Sequence, residues 1–314
     1  MRDVVVIGGG LTGLSAAYEL SQHELDVTLI EVKRQLGGSI QTIQQENSIL
    51  DAAAFAIRDS LDSNWLESLE LSDAMFPLKD NVMAFKAGTG SLIAALQSKI
   101  SATRLMRMAV SSIGELKGGG YSICMENGLM FDAKALILAV PARYAERMFY
   151  GYINDITAQL LDYHYDTLLR VSLVCKTKDL PVRISTPPDM AYSFIHRTEH
   201  PARVPDGYTL LQFGMRIDPK RLSSDDGMVK FLCEGFRLPK PLTSHVAHWS
   251  EADPVSCYDD EHKARIGAIR DKLPEGIKLV GSDYCLDMPA KQGVAHLDER
   301  IQQGIEAARQ VIGS

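Results

Sequence analysis

Residues 4–31, VVVIGGGLTGLSAAYELSQHELDVTLIE, decide the fold class of this chain. The run Val4–Ile7 is continuously apolar, as in a parallel strand that is buried on both faces. After the glycines, apolar residues recur at helical spacing to about Gln22, and a second apolar run, Val27–Ile30, ends at Glu31. The stretch therefore predicts a strand, a tight turn, a helix and a second strand, which is the opening of an α/β fold.

The turn between the first strand and the helix has the spacing Gly-x-Gly-x-x-Gly. Gly8 permits the tight turn, Gly10 lets the backbone approach a pyrophosphate, and Gly13 lets the helix pack on the strand. The first helical residues, Leu11 and Thr12, belong to a helix N-terminus that offers free N–H groups and a partial positive charge to phosphate.

A carboxylate follows this turn at the distance that a dinucleotide site requires. Glu31 lies 18 residues beyond Gly13, at the end of the second strand, where a carboxylate can accept hydrogen bonds from ribose hydroxyls. The strand, the helix and the acid make the motif more specific than the glycine spacing alone. They predict a bound dinucleotide; a purely structural glycine turn is the alternative.

The segment EVKRQLGGS, residues 31–39, extends this motif. Together with the glycine turn it resembles the FAD site of the flavin amine oxidase superfamily, which includes protoporphyrinogen oxidases, monoamine oxidases and phytoene-desaturase-like enzymes. The resemblance implies that the acidic residue holds the adenosine ribose and that the following basic residue and paired glycines lie along the flavin phosphates and ring. Those roles fall on Glu31, Arg34, Gly37 and Gly38. The neighbouring residues Val32 and Ser39 are expected to belong to the same cofactor site. A simple flexible loop at the paired glycines is the alternative.

Further blocks of the resemblance follow in the order expected of that family. They imply a backbone contact from Val110 to adenine and a C-terminal flavin segment at Gly281, Ser282 and Asp283. They also imply an aromatic wall near the flavin ring, formed by Trp249 with Tyr258. The blocks are GSLI at 90–93, Val110, ALILAVP at 135–141, Trp249 with Pro254, VGSD at 280–283, and Gly304 with Ala307 and Ala308.

The chain also departs from the family pattern. Family members are commonly longer, so the resemblance implies a shortened substrate domain. A Gly-Ala pair usually meets the flavin pyrimidine edge, and Glu299 and Arg300 stand in its place. Arg300 would supply positive charge near the flavin N1/C2 carbonyl and stabilise the reduced, anionic flavin. A solvated arginine on the last helix is the alternative.

One cysteine resembles the residue that tethers the flavin in monoamine oxidases. Cys257 precedes Tyr258 and lies eight residues beyond Trp249, but the glycines that normally precede such a cysteine are missing. We therefore predict noncovalent FAD, with plain packing as the alternative role of this segment.

Composition excludes several classes of protein. The chain has 314 residues, 46% apolar and 23% charged, which is ordinary for a soluble globular protein. Its net charge of -7 and the absence of a basic stripe argue against a nucleic-acid partner. No apolar run reaches the roughly 18 residues of a membrane helix. The five cysteines are widely spaced, so the sequence predicts no zinc knuckle, no CxxC pair and a reducing, cytoplasmic location. The pair His245 and His248 lacks acidic partners, so no metal site is predicted.

The chain is predicted to fold as two units. A discontinuous Rossmann-like FAD-binding domain of the glutathione-reductase type, with a β-meander, takes residues 1–50, 86–146 and 246–314. An inserted α+β substrate domain takes residues 51–85 and 147–245.

Local patterns add finer expectations. Residues 51–71 read as one helix, and the Asn127–Gly128 pair signals a hairpin. Two separate strands are expected after this turn, at 129–133 and 135–140.

These patterns together predict an FAD-dependent oxidoreductase that transfers hydride from a small or medium organic substrate to flavin N5. No catalytic side chain is nominated, because the flavin itself performs the chemistry. The alternatives are a flavin-dependent isomerase or mutase and a noncatalytic flavoprotein-like subunit. A second copy or a partner protein would cover an open cleft.

Overall fold

The computed structural model describes residues 1–52, 56–58, 61–78, 81–163, 165, 168–184, 192–216, 224–249, 260–286 and 297–313. In chain order the elements are β1 (Arg2–Ile7), α1 (Leu11–Leu20), β2 (Val27–Glu31), β3 (Thr42–Gln45), β4 (Ser48–Asp51), β5 (Ala56–Arg58), α2 (Ser63–Ser68), β6 (Met75–Pro77), β7 (Val82–Phe85), α3 (Gly90–Lys99), β8 (Thr103–Met106), β9 (Val110–Glu115), β10 (Tyr121–Met125), β11 (Met130–Leu138), α4 (Ala142–Phe149), α5 (Asn154–Leu161), β12 (Leu168–Lys176), β13 (Tyr192–Thr198), β14 (Tyr208–Arg216), α6 (Asp225–Gly235), β15 (Thr243–Trp249), α7 (Asp260–Lys272), β16 (Ile277–Leu279) and α8 (Leu297–Ile312).

The central sheet confirms the predicted Rossmann-like fold. Its strands follow the order β8-β2-β1-β11-β10-β9, and β16 pairs with β11. The strands β8, β2, β1, β11 and β16 are parallel to one another, whereas β9 and β10 form the antiparallel meander. Val5 and Val6 at the centre of β1 are fully buried, because the sheet carries helices on both faces.

The strand β11 replaces two strands that the sequence suggested. Its first half pairs with β10 in the meander, and its second half runs parallel to β1 and β16. Asp132 and Lys134 are exposed, while Ala133 and Ala135 between and after them are buried. Because strand side chains alternate between faces, the two charged residues interrupt the apolar run without ending the strand.

The predicted helix over residues 51–71 is wrong for most of the residues that the structure describes there. The strand β4 includes Asp51, and β5 occupies Ala56–Arg58. Among the described residues of this range, helix is confined to α2, where the Asp62 carboxylate accepts a hydrogen bond from the Asn64 backbone N–H. Asp51 is drawn instead into a buried ion pair with Arg203 at 2.7 Å. The hydrophobic spacing of residues 51–71 gives no indication of this distant partner.

The second sheet is antiparallel, with the order β13-β14-β12-β15. The helix α6 covers one face through a cluster that includes Val171, Phe213 and Leu232. The opposite face meets β4, where Val174 packs with Leu50. The strand β15 pairs with β12 and crosses the predicted domain boundary at residue 246; the division into domains stays a prediction.

Two helices cross closely on one face of the central sheet. A Cβ atom at Gly304 of α8 would lie 2.3 Å from the Thr12 carbonyl oxygen of α1. The glycine therefore permits the helices to approach within van der Waals contact of their backbones. Within the described ranges, no helix is long and apolar enough to cross a membrane.

Candidate functional site

A cavity of about 610 Å³ lies at the carboxyl ends of β1, β2 and β11. This is the edge where open parallel sheets bind ligands. It gathers most of the residues that the sequence nominated. Those that line it are Gly8, Gly10, Leu11, Thr12, Glu31, Val32, Gly37, Gly38, Ser39, Val110, Gly281, Ser282, Asp283 and Arg300.

The N-terminus of α1 faces this cavity without a side-chain cap. Gly10 precedes the helix, no side chain accepts from its first N–H groups, and its first turn holds no acid. A Cβ atom at Gly10 would meet no atom within 4 Å, so the space in front of the helix is open. Unsatisfied helix N–H groups facing an open cradle suit a phosphate group, so the residues present fit the diphosphate of a dinucleotide.

Gly13 has a different task from the other glycines of the motif. It does not line the cavity, and a Cβ atom there would lie 1.9 Å from the Gly8 carbonyl oxygen. Gly8 itself has a φ of 104°, which favours glycine. Gly13 therefore permits the close packing of helix on turn that shapes the cavity.

Glu31 is held rigidly at the end of β2. Its side chain is buried; Oε2 accepts the Gly9 N–H at 2.6 Å and Oε1 accepts the Lys33 N–H at 2.7 Å. A carboxylate offers about four lone-pair sites, so capacity remains for further donors such as ribose hydroxyls.

The paired glycines close against the glycine turn. The Gly37 N–H donates to the Gly9 carbonyl at 2.7 Å, and a Cβ atom at Gly38 would lie 3.2 Å from the Gly10 Cα. Of the two basic residues before them, Lys33 lines the cavity, whereas Arg34 is exposed and does not. The predicted contact from Arg34 to the cofactor stays a prediction, and Lys33 is the nearer cation.

The C-terminal segment contributes a buried carboxylate and a fixed turn. Asp283 is 1% exposed, and its Oδ2 accepts the Ala142 N–H at 2.8 Å. Gly281 adopts a φ of 132° and donates its N–H to Gln303 Oε1 at 2.9 Å. Arg300 approaches the same cavity from the start of α8.

Some nominated residues lie beyond what the structure describes. The backbone of Trp249 ends β15, but its side chain falls outside the described residues. Pro254, Cys257 and Tyr258 lie wholly outside them.

Sequence reasoning missed one wall of the cavity. Tyr144, Arg147 and Met148 line it from α4, and they recur at the i, i+3, i+4 spacing of one helix face. The signal was available, because α4 directly follows the ALILAVP strand. Met108 and His248 are further lining residues that the sequence analysis did not nominate.

Two tyrosines, Tyr163 and Tyr165, contact Asp283 without lining the cavity themselves. Burial and then the negative charge of Asp283 raise the pKa values of Tyr163 and Tyr165 far above the ordinary tyrosine range. These phenols are therefore neutral hydrogen-bond donors at physiological pH. Among the described residues, no group of three His, Cys, Asp or Glu side chains could hold a metal ion.

Comparison with known proteins agrees with the fold. Residues 6–69 match the NAD(P)-binding Rossmann-like domain family. The flavin-containing amine oxidase A of Canis lupus familiaris is 51% identical over 47 residues, which are 15% of this chain and 9% of that protein. The mitochondrial protoporphyrinogen oxidase of Nicotiana tabacum is 40% identical over 83 residues, 26% of this chain and 16% of that enzyme. The matched segments therefore span far less than two thirds of these relatives.

Solved structures match along the whole chain. A putative protoporphyrinogen oxidase from Exiguobacterium sp. 255-15 superposes with a TM-score of 0.80 at 12% identity, over 100% of this chain and 99% of that one. A redesigned putrescine oxidase gives a TM-score of 0.71 at 13% identity, over 99% of each chain. Fold and cavity together define a protein with a Rossmann-like domain and a cavity whose residues fit a dinucleotide. The matches confirm the predicted resemblance to the amine oxidase and protoporphyrinogen oxidase superfamily of flavoproteins.

Proposed function

We propose that the protein is an FAD-dependent oxidoreductase that oxidises a small or medium organic substrate at a C–N or activated C–C bond. The cavity carries this proposal, because the glycine turn, Glu31 and the paired glycines meet around about 610 Å³. Its size lies within the range of small-molecule and cofactor sites. When bound, FAD supplies a hydride acceptor at N5.

The chain's own residues would bind and orient the cofactor. The open N–H groups of α1 suit the diphosphate, and Glu31 suits the adenosine ribose. Arg300 and Asp283 bring opposite charges to the same cavity from the C-terminal segments. Arg300 would favour a negative charge on the reduced cofactor.

Replacing Glu31 by alanine is expected to weaken FAD binding by about 1.5–3 kcal/mol, the range for hydrogen bonds to a charged group. The loss arises because the carboxylate would no longer accept from the ribose. Titration of the apoprotein followed by flavin fluorescence measures it. Glu31→Gln is the matched control: it keeps the volume and one acceptor, so its loss should be smaller. A purified wild-type protein that is colourless and takes up no FAD would refute the proposed function.

The flavin is expected to be noncovalent, because Cys257 lacks the glycines that accompany a tethering cysteine. Acid precipitation should leave the yellow colour in the supernatant. Colour that stays in the pellet, and leaves it in Cys257→Ala, would show a covalent bond.

The substrate is proposed to be a small or medium amine or a partner-delivered intermediate. The substrate domain is expected to be shorter than that of the larger family members. The cleft over the flavin would therefore be open unless a second copy or a partner covers it. Anaerobic flavin bleaching with a panel of small amines and with protoporphyrinogen tests this proposal. Fast reduction by protoporphyrinogen alone would overturn it.

A further inference from the structure

We propose that Tyr165 is a positioning residue for the cofactor, because its hydroxyl fixes the Asp283 carboxylate in the wall of the cavity. This inference rests on the proposed function, since it concerns the affinity of the cavity for FAD. Tyr165 does not line the cavity itself and acts through Asp283.

The Asp283 carboxylate is the acceptor of a small buried network. Its Oδ2 accepts the Ala142 N–H at 2.8 Å and the Tyr165 hydroxyl, and its Oδ1 accepts the Ser282 hydroxyl at 3.3 Å. The residue is 1% exposed, so bulk water contributes little to solvating this charge. A buried carboxylate is tolerated only where hydrogen-bond donors satisfy it, and the Tyr165 hydroxyl is a strong donor of this kind.

Tyr165 is itself fixed in place for this task. The Arg143 guanidinium carbon lies 5.7 Å from the centre of its ring, a cation–π contact. The ring is half-buried, and this contact holds it with its hydroxyl directed at Asp283. A preorganised donor reduces the entropy lost when the cofactor orders the cavity.

The tyrosine comes from a different part of the fold than the carboxylate. Tyr165 lies just before β12, a strand of the second sheet, whereas Asp283 follows β16 of the central sheet. The neighbouring Tyr163 hydroxyl donates to the Asp283 carbonyl at 2.9 Å. The segment that leads into the second sheet therefore holds both the side chain and the main chain of a cavity-lining residue.

The two tyrosines provide a matched pair of variants. Tyr165→Phe removes the donor to the carboxylate, and the FAD dissociation constant is expected to rise about tenfold, as for loss of a hydrogen bond to a charged group. Tyr163→Phe removes a donor to a neutral carbonyl and should change the FAD dissociation constant by no more than about threefold. Thermal melting of each apoprotein confirms the fold. Equal losses in the two variants would indicate general loosening of the segment and would overturn the inference.

A double-mutant cycle tests whether the effect passes through Asp283. In an Asp283→Ala background, Tyr165→Phe should cause no further loss of FAD affinity. Additive losses, or an Asp283→Ala protein that binds FAD like the wild type, would overturn the inference. If the wild type binds FAD and Tyr165→Phe binds it equally well, only the positioning role of Tyr165 is refuted. If the wild type does not bind FAD, the proposed function is refuted.

Discussion

Gly13→Ala is expected to prevent folding or to lower the free energy of unfolding by at least about 3 kcal/mol, the upper end of the usual cost of overpacking. The new Cβ atom would lie 1.9 Å from the Gly8 carbonyl oxygen and 3.1 Å from its carbon. These are backbone atoms of a tight turn, so no side-chain rotation can relieve the overlap. Urea denaturation followed by circular dichroism measures the loss.

Gly10→Ala is the matched control, because its Cβ atom would meet nothing within 4 Å and the φ of -73° suits alanine. This variant should be as stable as the wild type, or slightly more stable through the lower entropy of its unfolded chain. Its methyl group would instead occupy the cradle before α1, and FAD binding should weaken at least about tenfold, which is about 1.4 kcal/mol. A stable Gly13→Ala protein, or unchanged FAD affinity in Gly10→Ala, would contradict these assignments.

Arg203→Met is expected to lower the free energy of unfolding by about 3–5 kcal/mol, as when one partner of a buried ion pair is removed. Arg203 and Asp51 are each 1% exposed in their side chains and lie 2.7 Å apart. The guanidinium also donates to the carbonyls of Ile49 at 2.9 Å and Phe85 at 3.0 Å. The substitution would leave the Asp51 carboxylate without its cationic partner and the two carbonyl groups without this donor.

The consequences of that substitution extend towards the cavity. Asp51 Oδ1 accepts from the Thr89 N–H at 2.9 Å and from the Thr42 hydroxyl at 2.8 Å, and Thr42 in turn accepts the Gly90 N–H that begins α3. A Cβ atom at Gly37 would contact Ile93 of α3 at 3.1 Å. The ion pair therefore supports the helix against which the paired glycines rest.

Two further variants make this prediction specific. Asp26→Asn breaks the exposed pair with Arg2, whose side chain is 37% exposed, and should cost no more than about 1 kcal/mol. The double variant Asp51→Asn with Arg203→Met should lose less stability than the two single losses added together, because neither charge is left alone. Chemical denaturation compares the wild type, Arg203→Met, Asp51→Asn, their double variant and Asp26→Asn. A cost for Arg203→Met as small as that for Asp26→Asn would contradict the prediction.

The sequence predicted the grouping of the glycine turn with Glu31 well, because these residues are close in the chain. The residues from Gly8 to Gly13 form one turn and one helix end, and Glu31 follows at the end of the next strand. Spacing alone therefore places these groups, since regular strands and helices fix distances along the chain. The same locality explains why the Asn127–Gly128 hairpin was predicted with its meander.

The sequence failed where a residue's environment comes from distant segments. Residues 51–71 showed apolar residues compatible with a helix, yet β4, β5 and the short α2 formed instead. The long-range partners of Asp51, with Arg203 152 residues away, overrode the local preference. The α4 wall was missed although its spacing can be read from the sequence, because the direction of β11 decides which face of that helix meets the cavity.

By itself the sequence determined the Rossmann-like opening, the glycine turn with its acid, and the resemblance to flavin amine oxidases and protoporphyrinogen oxidases. Only the tertiary structure decided which groups complete the site. It joined Asp283 to the Ala142 N–H across 141 residues and to Tyr165 across 118. It also set Gly304 of α8 against the backbone of α1. Periodicity and spacing record the geometry of single elements, whereas contacts between elements depend on packing and on satisfying buried polar groups, which have no fixed separation along the chain.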